Sequence, residues 1–333
     1  MGRITRALIR MLFVALALVA AVSTGVLVLA SHRERHAAAD VAPPTGRFVP
    51  AGDVRLFIQE AGPAGGPLAL FVHGTGAWSE TWRATLAAAA AAGWHAVAID
   101  LPPFGFSDRP SEARYTKADQ GARIVAALDA LGTAPAVLVG HSFGGGPTVE
   151  AAMRAPARVR GLVLVDAALA IAPDDAPPSS PTLAVRALLA FAPVRRTLVA
   201  SFLTNPWFTR RLLQGFVADP AAATDARVAV YQRPLGVTGT TAAVADWLPE
   251  LVAPPAPSRG ESPRAYGSLA MPVIAIWGGR DTVTPPDQGE RLVRLVPHGR
   301  LELMPSVGHI PQIEDPDAFN ALLVRTLATL PPA

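Results

Sequence analysis

The fold is indicated most clearly by Ala136-Val137-Leu138-Val139-Gly140-His141-Ser142-Phe143-Gly144-Gly145-Gly146. This stretch begins as an apolar run typical of a buried strand, turns at Gly-His-Ser-Phe-Gly, and continues into a helix-compatible run. A strand that turns sharply into a helix holds the serine exposed at the corner, as in a nucleophile elbow. Gly140 and Gly144 fit this geometry, because side chains there would collide where strand and helix nearly touch. The motif predicts Ser142 as a nucleophile if an acid and a base follow downstream; the alternative is a glycine-rich loop.

Strand-like and helix-like stretches alternate on both sides of this motif. Such alternation implies βαβ units and a mostly parallel sheet covered by helices on both faces, which is an α/β fold. The predicted strands are at residues 48–49, 54–59, 68–73, 94–100, 136–139, 161–166, 271–277 and 301–304. The predicted helices of the core are at residues 77–92, 117–131, 147–154, 287–296 and 315–330.

Between residues 170 and 270 the alternation stops. A proline-rich break at 173–181 is followed by predicted helices at 182–192, 206–217 and 224–232, and by a second proline-rich loop at 253–263. A helical insertion at the carboxyl end of a sheet covers the crevice where ligands bind. We therefore predict a lid at residues 170–270. Its aromatic residues, together with one after the third strand, give a predicted substrate pocket of Trp78, Trp207, Phe208 and Trp247, although each is individually typical of helix packing.

The charge of the chain is unevenly distributed. Residues 1–36 contain five arginines and one glutamate, whereas the remaining chain has a net charge of −1. We therefore expect no nucleic-acid partner. The absence of cysteine excludes disulfides and a cysteine nucleophile. We find no metal-ligand cluster, phosphate-binding loop or dinucleotide motif, and we expect no metal and no cofactor. The oligomeric state is left open.

The N-terminal segment has the length and composition of a membrane anchor. Residues 11–30 contain no charged side chain, and a helix of this length spans roughly 30 Å, the hydrocarbon thickness of a bilayer. Arginines precede the run, which predicts a cytoplasmic N-terminus and an extracytoplasmic catalytic domain. The alternative is a signal sequence, after whose cleavage the protein is secreted. The predicted organisation is an anchor at residues 1–36, a linker at 37–46, a core at 47–169 and 271–333, and the lid.

A serine nucleophile requires a base and an orienting acid. His309 lies in the loop between the last strand and the last helix, and it is the predicted base. Asp281 follows the preceding strand and completes the chain order Ser, Asp, His of a nucleophile-elbow hydrolase. Asp166, at the end of the strand after the elbow, is the alternative acid. The predicted oxyanion-hole donors are the backbone N–H groups of Phe143 and Thr75, with Gly76 as the alternative to Thr75.

Five motifs in this order resemble the α/β-hydrolase-fold superfamily, in its serine-nucleophile branch with a helical cap. They are Phe71-Val72-His73-Gly74, Asp100-Leu101-Pro102-Pro103-Phe104-Gly105-Phe106-Ser107-Asp108-Arg109-Pro110, Gly140-His141-Ser142-Phe143-Gly144, Trp277-Gly278-Gly279-Arg280-Asp281 and Gly308-His309. Relatives commonly have glycine where this chain has Pro103. The serine at the elbow separates the chain from the dehalogenase and epoxide hydrolase branches, which the resemblance implies use aspartate there.

The predicted function is hydrolysis of a carboxylic ester of a small to medium, apolar substrate through an acyl-enzyme. The alternatives are a carbon–carbon bond hydrolase, a cofactor-free haloperoxidase-like enzyme, and a catalytically idle binding protein on the same fold. The expected partners are a small-molecule substrate and, through the N-terminal helix, a membrane.

Overall fold

The structure is a computed structural model that describes residues 3–132, 134–172, 182–252, 254 and 257–331. The predicted proline-rich break at 173–181 lies outside these residues. So do residues 1–2 of the predicted anchor, 332–333 of the predicted core, and part of the loop predicted at 253–263.

A single eight-stranded sheet forms the centre of the described molecule, with the strand order β1-β2-β4-β3-β5-β6-β7-β8. The pairs β1–β2 and β2–β4 are antiparallel, and all the other neighbours are parallel. Strands β3, β5 and β7 are buried along their whole length, as expected for parallel strands covered on both faces. The strands are β1 Gly46–Ala51, β2 Val54–Ala61, β3 Leu68–Val72, β4 His95–Ile99, β5 Ala136–His141, β6 Val159–Val165, β7 Val273–Gly278 and β8 Gly299–Met304.

Helices cover both faces of this sheet. Helices α4, α5 and α11 pack on one face around Ile124, Val149 and Leu292, while α3 and α13 pack on the other around Leu86 and Phe319. The predicted α/β-hydrolase architecture is therefore confirmed. The helices of the described part are α1 Arg3–Arg33, α2 Ala38–Val41, α3 Arg83–Ala91, α4 Lys117–Leu131, α5 Gly145–Arg154, α6 Leu183–Ala190, α7 Ala192–Leu198, α8 Pro206–Gln214, α9 Asp225–Gln232, α10 Thr240–Val252, α11 Pro286–Leu295, α12 Pro311–Glu314 and α13 Pro316–Ala328.

The segment between β6 and β7 contains α6–α10 and a π-helical turn at Val199–Leu203. Helix α10 is absent from the sequence prediction, because Pro249 lies inside it and proline ordinarily ends a helix. Its buried side chains Val244 and Trp247 pack into the main core, and this burial stabilises the helix. The helix predicted at 77–92 is also shorter, because a 3₁₀ turn at Ser79–Trp82 precedes α3.

Helix α1 is long and apolar enough to cross a bilayer, and its most apolar window is not buried against the protein. A signal sequence has the same properties. The C-terminal end of α1 packs against α7 and the π-helical turn, and Ala30 is buried. Two backbone hydrogen bonds then join the following chain to the inserted segment: His36 N–H to the Gly236 carbonyl (3.3 Å) and Thr238 N–H to the His36 carbonyl (2.9 Å).

Candidate active site

The corner between β5 and α5 has the geometry of a nucleophile elbow. Ser142 has a φ of 49°, a left-handed conformation that costs a non-glycine residue backbone strain. The neighbouring glycines allow this corner to form: a Cβ on Gly140 would lie 2.6 Å from Thr148 Oγ1, and one on Gly144 would lie 2.5 Å from the His73 carbonyl oxygen. Both distances are shorter than a Cβ atom approaches a non-bonded neighbour, so neither position accommodates a side chain.

Ser142, His309 and Asp281 are joined by two hydrogen bonds. His309 Nε2 lies 2.8 Å from Ser142 Oγ, and His309 Nδ1 lies 2.8 Å from Asp281 Oδ2. All three residues are buried. In this arrangement, the imidazole can accept the serine proton at Nε2 while the carboxylate holds the Nδ1 proton. The structure thus brings together the three residues predicted as a triad.

The two carboxylates beside His309 have opposite pKa shifts. Burial raises the pKa of Asp281, but hydrogen bonds from His309, Thr284 and Val283 N–H outweigh burial and hold its pKa below the ordinary value. Burial raises the pKa of Asp166 well above its ordinary value, and the nearby charge of Asp281 raises it further. These opposite directions favour the ionised form at Asp281 and the protonated form at Asp166.

The raised pKa of Asp166 predicts that the stability of the protein depends on pH. A carboxyl whose pKa is higher in the folded than in the unfolded protein contributes its full stabilisation at pH values below the unfolded pKa. This stabilisation is lost as the pH rises towards the folded pKa. As the pH is raised from 4.5 to 8, we expect the free energy of unfolding of Asp166→Asn to increase relative to that of the unchanged protein, because asparagine has no proton to lose. Urea unfolding of both proteins at the two pH values measures this gap. If the difference in free energy of unfolding between the two proteins is the same at both pH values, Asp166 is ionised in the folded protein.

A cavity of about 300 Å³ lies against Ser142 and His309. Its core side includes Gly74, Thr75 and Gly76, so the loop predicted to supply an oxyanion donor does border the cavity. Most of its other wall comes from the inserted segment between β6 and β7, with side chains that are chiefly aliphatic. Phe143 directly follows the nucleophile, and its backbone N–H remains the second predicted donor.

The four aromatic residues predicted to form the pocket do not line this cavity. Trp78 is fully buried and its indole N–H donates to the Val230 carbonyl oxygen at 2.7 Å, while Trp247 is 1% exposed and packs against Phe143. Trp207 is 92% exposed on α8, and Phe208 packs against Phe202. The predicted pocket is therefore corrected: the lining of the cavity comes instead from aliphatic residues such as Leu203, Leu212 and Val244, with Phe216 and Tyr231.

This correction predicts a large difference in stability between two tryptophan variants. Trp247→Ala removes a buried indole from the core, and we expect it to lower the free energy of unfolding by about 3–5 kcal/mol. The control variant Trp207→Ala removes an exposed indole and should change it by no more than about 0.5 kcal/mol. Urea unfolding in detergent gives both values. Similar losses in the two variants would contradict the assigned packing.

Two residues that the sequence analysis gave no role hold the His309 loop. His141 Nε2–H donates to the His309 carbonyl oxygen at 2.8 Å, and burial lowers the pKa of His141 to about 3, so that the ring is neutral. The Glu314 carboxylate accepts from Gly308 N–H (3.0 Å), Ile310 N–H (3.2 Å) and Ala218 N–H (2.7 Å). Glu314 therefore connects this loop to the inserted segment. The sequence contains no local signal for either contact.

One group of described residues is spaced closely enough to hold a cation. Atoms of Asp166, Asp281 and His309 lie within 4.8 Å of one another. In the hydrogen-bonded arrangement, however, His309 Nδ1 carries a proton towards Asp281 and has no free lone pair for a metal. The absence of a metal from the reaction remains a prediction.

A strained serine at a strand–helix corner, linked to an imidazole and a buried carboxylate on a mostly parallel sheet, defines the class of nucleophile-elbow hydrolases. The sequence model of the alpha/beta hydrolase fold family matches residues 67–316. The chain belongs to this family, and the predicted superfamily is confirmed.

Several relatives are similar over most of the chain. An uncharacterized protein of Mycobacterium tuberculosis H37Rv is 29% identical over 313 residues, covering 88% of this chain and 84% of its own. The 2-hydroxymuconate semialdehyde hydrolase of Pseudomonas sp. CF600 is 30% identical over 292 residues, covering 86% of this chain and 95% of its own. A solved meta-cleavage product hydrolase of Pseudomonas fluorescens IP01 is 27% identical with a TM-score of 0.68, covering 85% of this chain and 98% of its own. Family and relatives together support a hydrolase.

Proposed function

We propose that this protein is a serine hydrolase that breaks the bond beside a carbonyl carbon of a largely apolar substrate. The observation that supports this most directly is the hydrogen-bonded chain from Ser142 through His309 to Asp281 beside an apolar cavity. Ser142 Oγ attacks the carbonyl carbon while His309 Nε2 takes its proton, and Asp281 stabilises the imidazolium. The N–H groups of Phe143 and Thr75 stabilise the oxyanion.

His309 then returns its proton to the leaving group, and the acyl group stays on Ser142. A water molecule, deprotonated by the same imidazole, attacks the acyl carbon, and the serine regains its proton. The leaving group determines whether the enzyme is a carbon–carbon bond hydrolase or an esterase. In the first case it is a stabilised carbanion that is protonated at carbon; in the second it is an alkoxide.

We propose carbon–carbon bond hydrolysis as the first candidate. The supporting relatives act, by their names, on 2-hydroxymuconate semialdehyde and on 2-hydroxy-6-oxononadienedioate, which are carboxylates. Arg109 borders the cavity in this chain, and its Nε–H has no hydrogen-bond partner among the described residues. Burial lowers the pKa of Arg109 to about 10, so it remains a cation at neutral pH and can pair with a substrate carboxylate.

Ester hydrolysis is the second candidate, and a different observation favours it. The two terminal nitrogens of Arg109 already donate to the carbonyl oxygens of Ser107 (2.7 Å) and Gly105 (3.0 Å) and to Thr240 Oγ1 (3.1 Å). This leaves little donor capacity for a charged substrate. The aliphatic wall of the cavity fits an uncharged acyl chain.

Kinetics with two substrates and one variant separate these candidates. A carbon–carbon bond hydrolase should have a higher kcat/KM on a 2-hydroxy-6-oxodienoate than on a p-nitrophenyl ester. An esterase should have a higher kcat/KM on the p-nitrophenyl ester. If Arg109 binds the carboxylate, Arg109→Gln should lower kcat/KM about 10- to 100-fold on the dienoate alone. This loss corresponds to the free energy of one hydrogen bond to a charged group. An equal loss on both substrates would assign Arg109 a structural role. Turnover of neither would contradict the proposed function.

We also propose that α1 is a retained membrane anchor. Arg33 Nε–H donates to the Leu235 carbonyl oxygen at 3.2 Å, and the Glu34 carboxylate accepts from Thr241 N–H at 3.1 Å. These contacts support retention, because they join the end of α1 to the inserted segment. The intact mass of the protein purified from membranes tests this: the full chain is expected, and a mass lacking the first 30 or so residues would show cleavage of a signal sequence.

A further inference from the structure

The first part of the inserted segment is basic and exposes several large apolar side chains. We call α6, α7, the π-helical turn and α8 together the arm, residues 183–214. The arm contains five arginines and no aspartate or glutamate. Two of these arginines form ion pairs with residues outside the arm, whereas Arg186, Arg196 and Arg211 are exposed. The large apolar side chains exposed on the arm include Leu183, Leu188, Phe191, Phe202 and Trp207.

The arm lies beside the end of α1. Helix α1 packs against α7 and the π-helical turn, both of which belong to the arm. The hydrogen bonds of Arg33 and Glu34 to the chain at residues 235–241 hold the end of α1 in this position. If the apolar stretch of α1 crosses a bilayer, the arm must therefore lie at the surface of that bilayer.

The wall of the cavity extends to the arm. Leu203, at the end of the π-helical turn, and Leu212, in α8, both border the cavity that contains Ser142. They are 36% and 39% exposed, so the same side chains also contribute to the outer surface. These two leucines therefore belong both to the wall of the cavity and to the outer surface of the arm.

We propose that the arm binds the surface of the lipid bilayer beside α1 and admits membrane-dissolved carbonyl compounds to the cavity past Leu203 and Leu212. Exposed leucine and aromatic side chains with arginines and no acidic residue are the composition of a segment that lies in an anionic membrane interface. The continuity with α1 favours lipid over a second copy of the chain as the covering partner. The delivery of substrate rests on the proposed hydrolase activity, whereas the binding of the bilayer rests on the proposed anchor α1 and not on that activity.

The binding is tested with the full chain reconstituted in vesicles of phosphatidylcholine and phosphatidylglycerol. Because the chain contains no cysteine, Trp207→Cys places a single polarity-sensitive fluorophore on the arm. Leu303→Cys is the matched control at an exposed leucine on β8. We expect blue-shifted emission and quenching by spin-labelled lipid at position 207 and neither at 303. Equal, unquenched emission at both positions overturns the proposal, as does shielding at 207 that persists in detergent and resists lipid quenchers, which would indicate a second copy of the chain.

The delivery is tested by reversing charges on the arm. Arg186→Glu with Arg196→Glu should lower turnover of a substrate dissolved in the vesicles about tenfold, because each arginine contributes to attraction by anionic lipid. Turnover of a short, soluble substrate should be unchanged, since neither residue borders the cavity. The control pair Arg154→Glu with Arg325→Glu, also exposed, makes the same change in net charge on the core. If the two pairs of substitutions have equal effects, delivery through the arm is contradicted. If the protein without substitutions turns over neither the vesicle-dissolved nor the soluble substrate, the proposed function is contradicted instead.

Discussion

Replacing Ser142 with alanine is expected to lower kcat by about 10⁶-fold, the scale on which nucleophile removal acts in serine hydrolases. The large effect follows from the geometry, since Ser142 Oγ is the atom that His309 Nε2 contacts at 2.8 Å. Steady-state kinetics on the preferred substrate measure the loss, and circular dichroism checks that the variant is folded.

The control is Ser306→Ala, which removes an exposed hydroxyl in the loop that carries His309. It should leave kcat unchanged, because nothing in the proposed reaction uses Ser306. If Ser142→Ala keeps substantial activity, or if both alanine variants lose it equally, Ser142 is not the nucleophile.

The second large effect is expected at Asp281. Asp281→Asn should lower kcat about 10⁴-fold, because an asparagine amide, unlike a carboxylate, can donate an N–H to Nδ1 and so stabilise the wrong tautomer of His309. The matched variant is Asp166→Asn, at a carboxyl whose pKa burial raises well above its ordinary value. Asparagine there preserves an acceptor for Gly278 N–H, which now donates to Asp166 Oδ1 at 2.8 Å. We therefore expect a small loss of kcat in this variant.

The comparison of the two asparagine variants assigns the acid of the triad. Both chains are to be measured with one substrate over a range of pH, so that a shift of the profile is not mistaken for a loss of rate. A larger loss in Asp166→Asn than in Asp281→Asn would reverse the assignment of the two carboxylates.

The architecture was predictable because its signals are local. Continuous apolar runs such as the one that forms β3 are typical of parallel strands buried on both faces. The glycines of the elbow are needed for reasons that the sequence pattern expresses directly, and Gly140 and Gly144 indeed have no space for a Cβ. The proximity of Ser142, His309 and Asp281 was predictable from their positions after strands whose carboxyl ends meet at one edge of the sheet.

The substrate cavity was not predictable in the same way. An aromatic residue in a helix is equally compatible with the core, the surface and a cavity, and Trp247, Trp207 and Tyr231 occupy these three environments in turn. The contact of Glu314 with Ala218 joins positions 96 residues apart in the chain, which no local motif reports. Helix α10 depends on tertiary burial that outweighs its internal proline.

The comparisons also change the order of the functional candidates. The motifs do not choose among these reactions, and the sequence analysis places ester hydrolysis first, whereas two relatives are named as hydrolases of 2-hydroxymuconate semialdehyde and of 2-hydroxy-6-oxononadienedioate. The arrangement of Ser142 and His309 is common to both reactions, so the choice depends on the cavity and on Arg109.

The central claim is that Ser142 is the activated nucleophile, and covalent labelling tests it most directly. The folded full-length protein is to be treated with a fluorophosphonate, and the modified residue is to be located by peptide mass spectrometry. We predict one adduct per chain, on Ser142, and none in Ser142→Ala. An adduct on another residue, or no adduct on folded protein, would contradict the account.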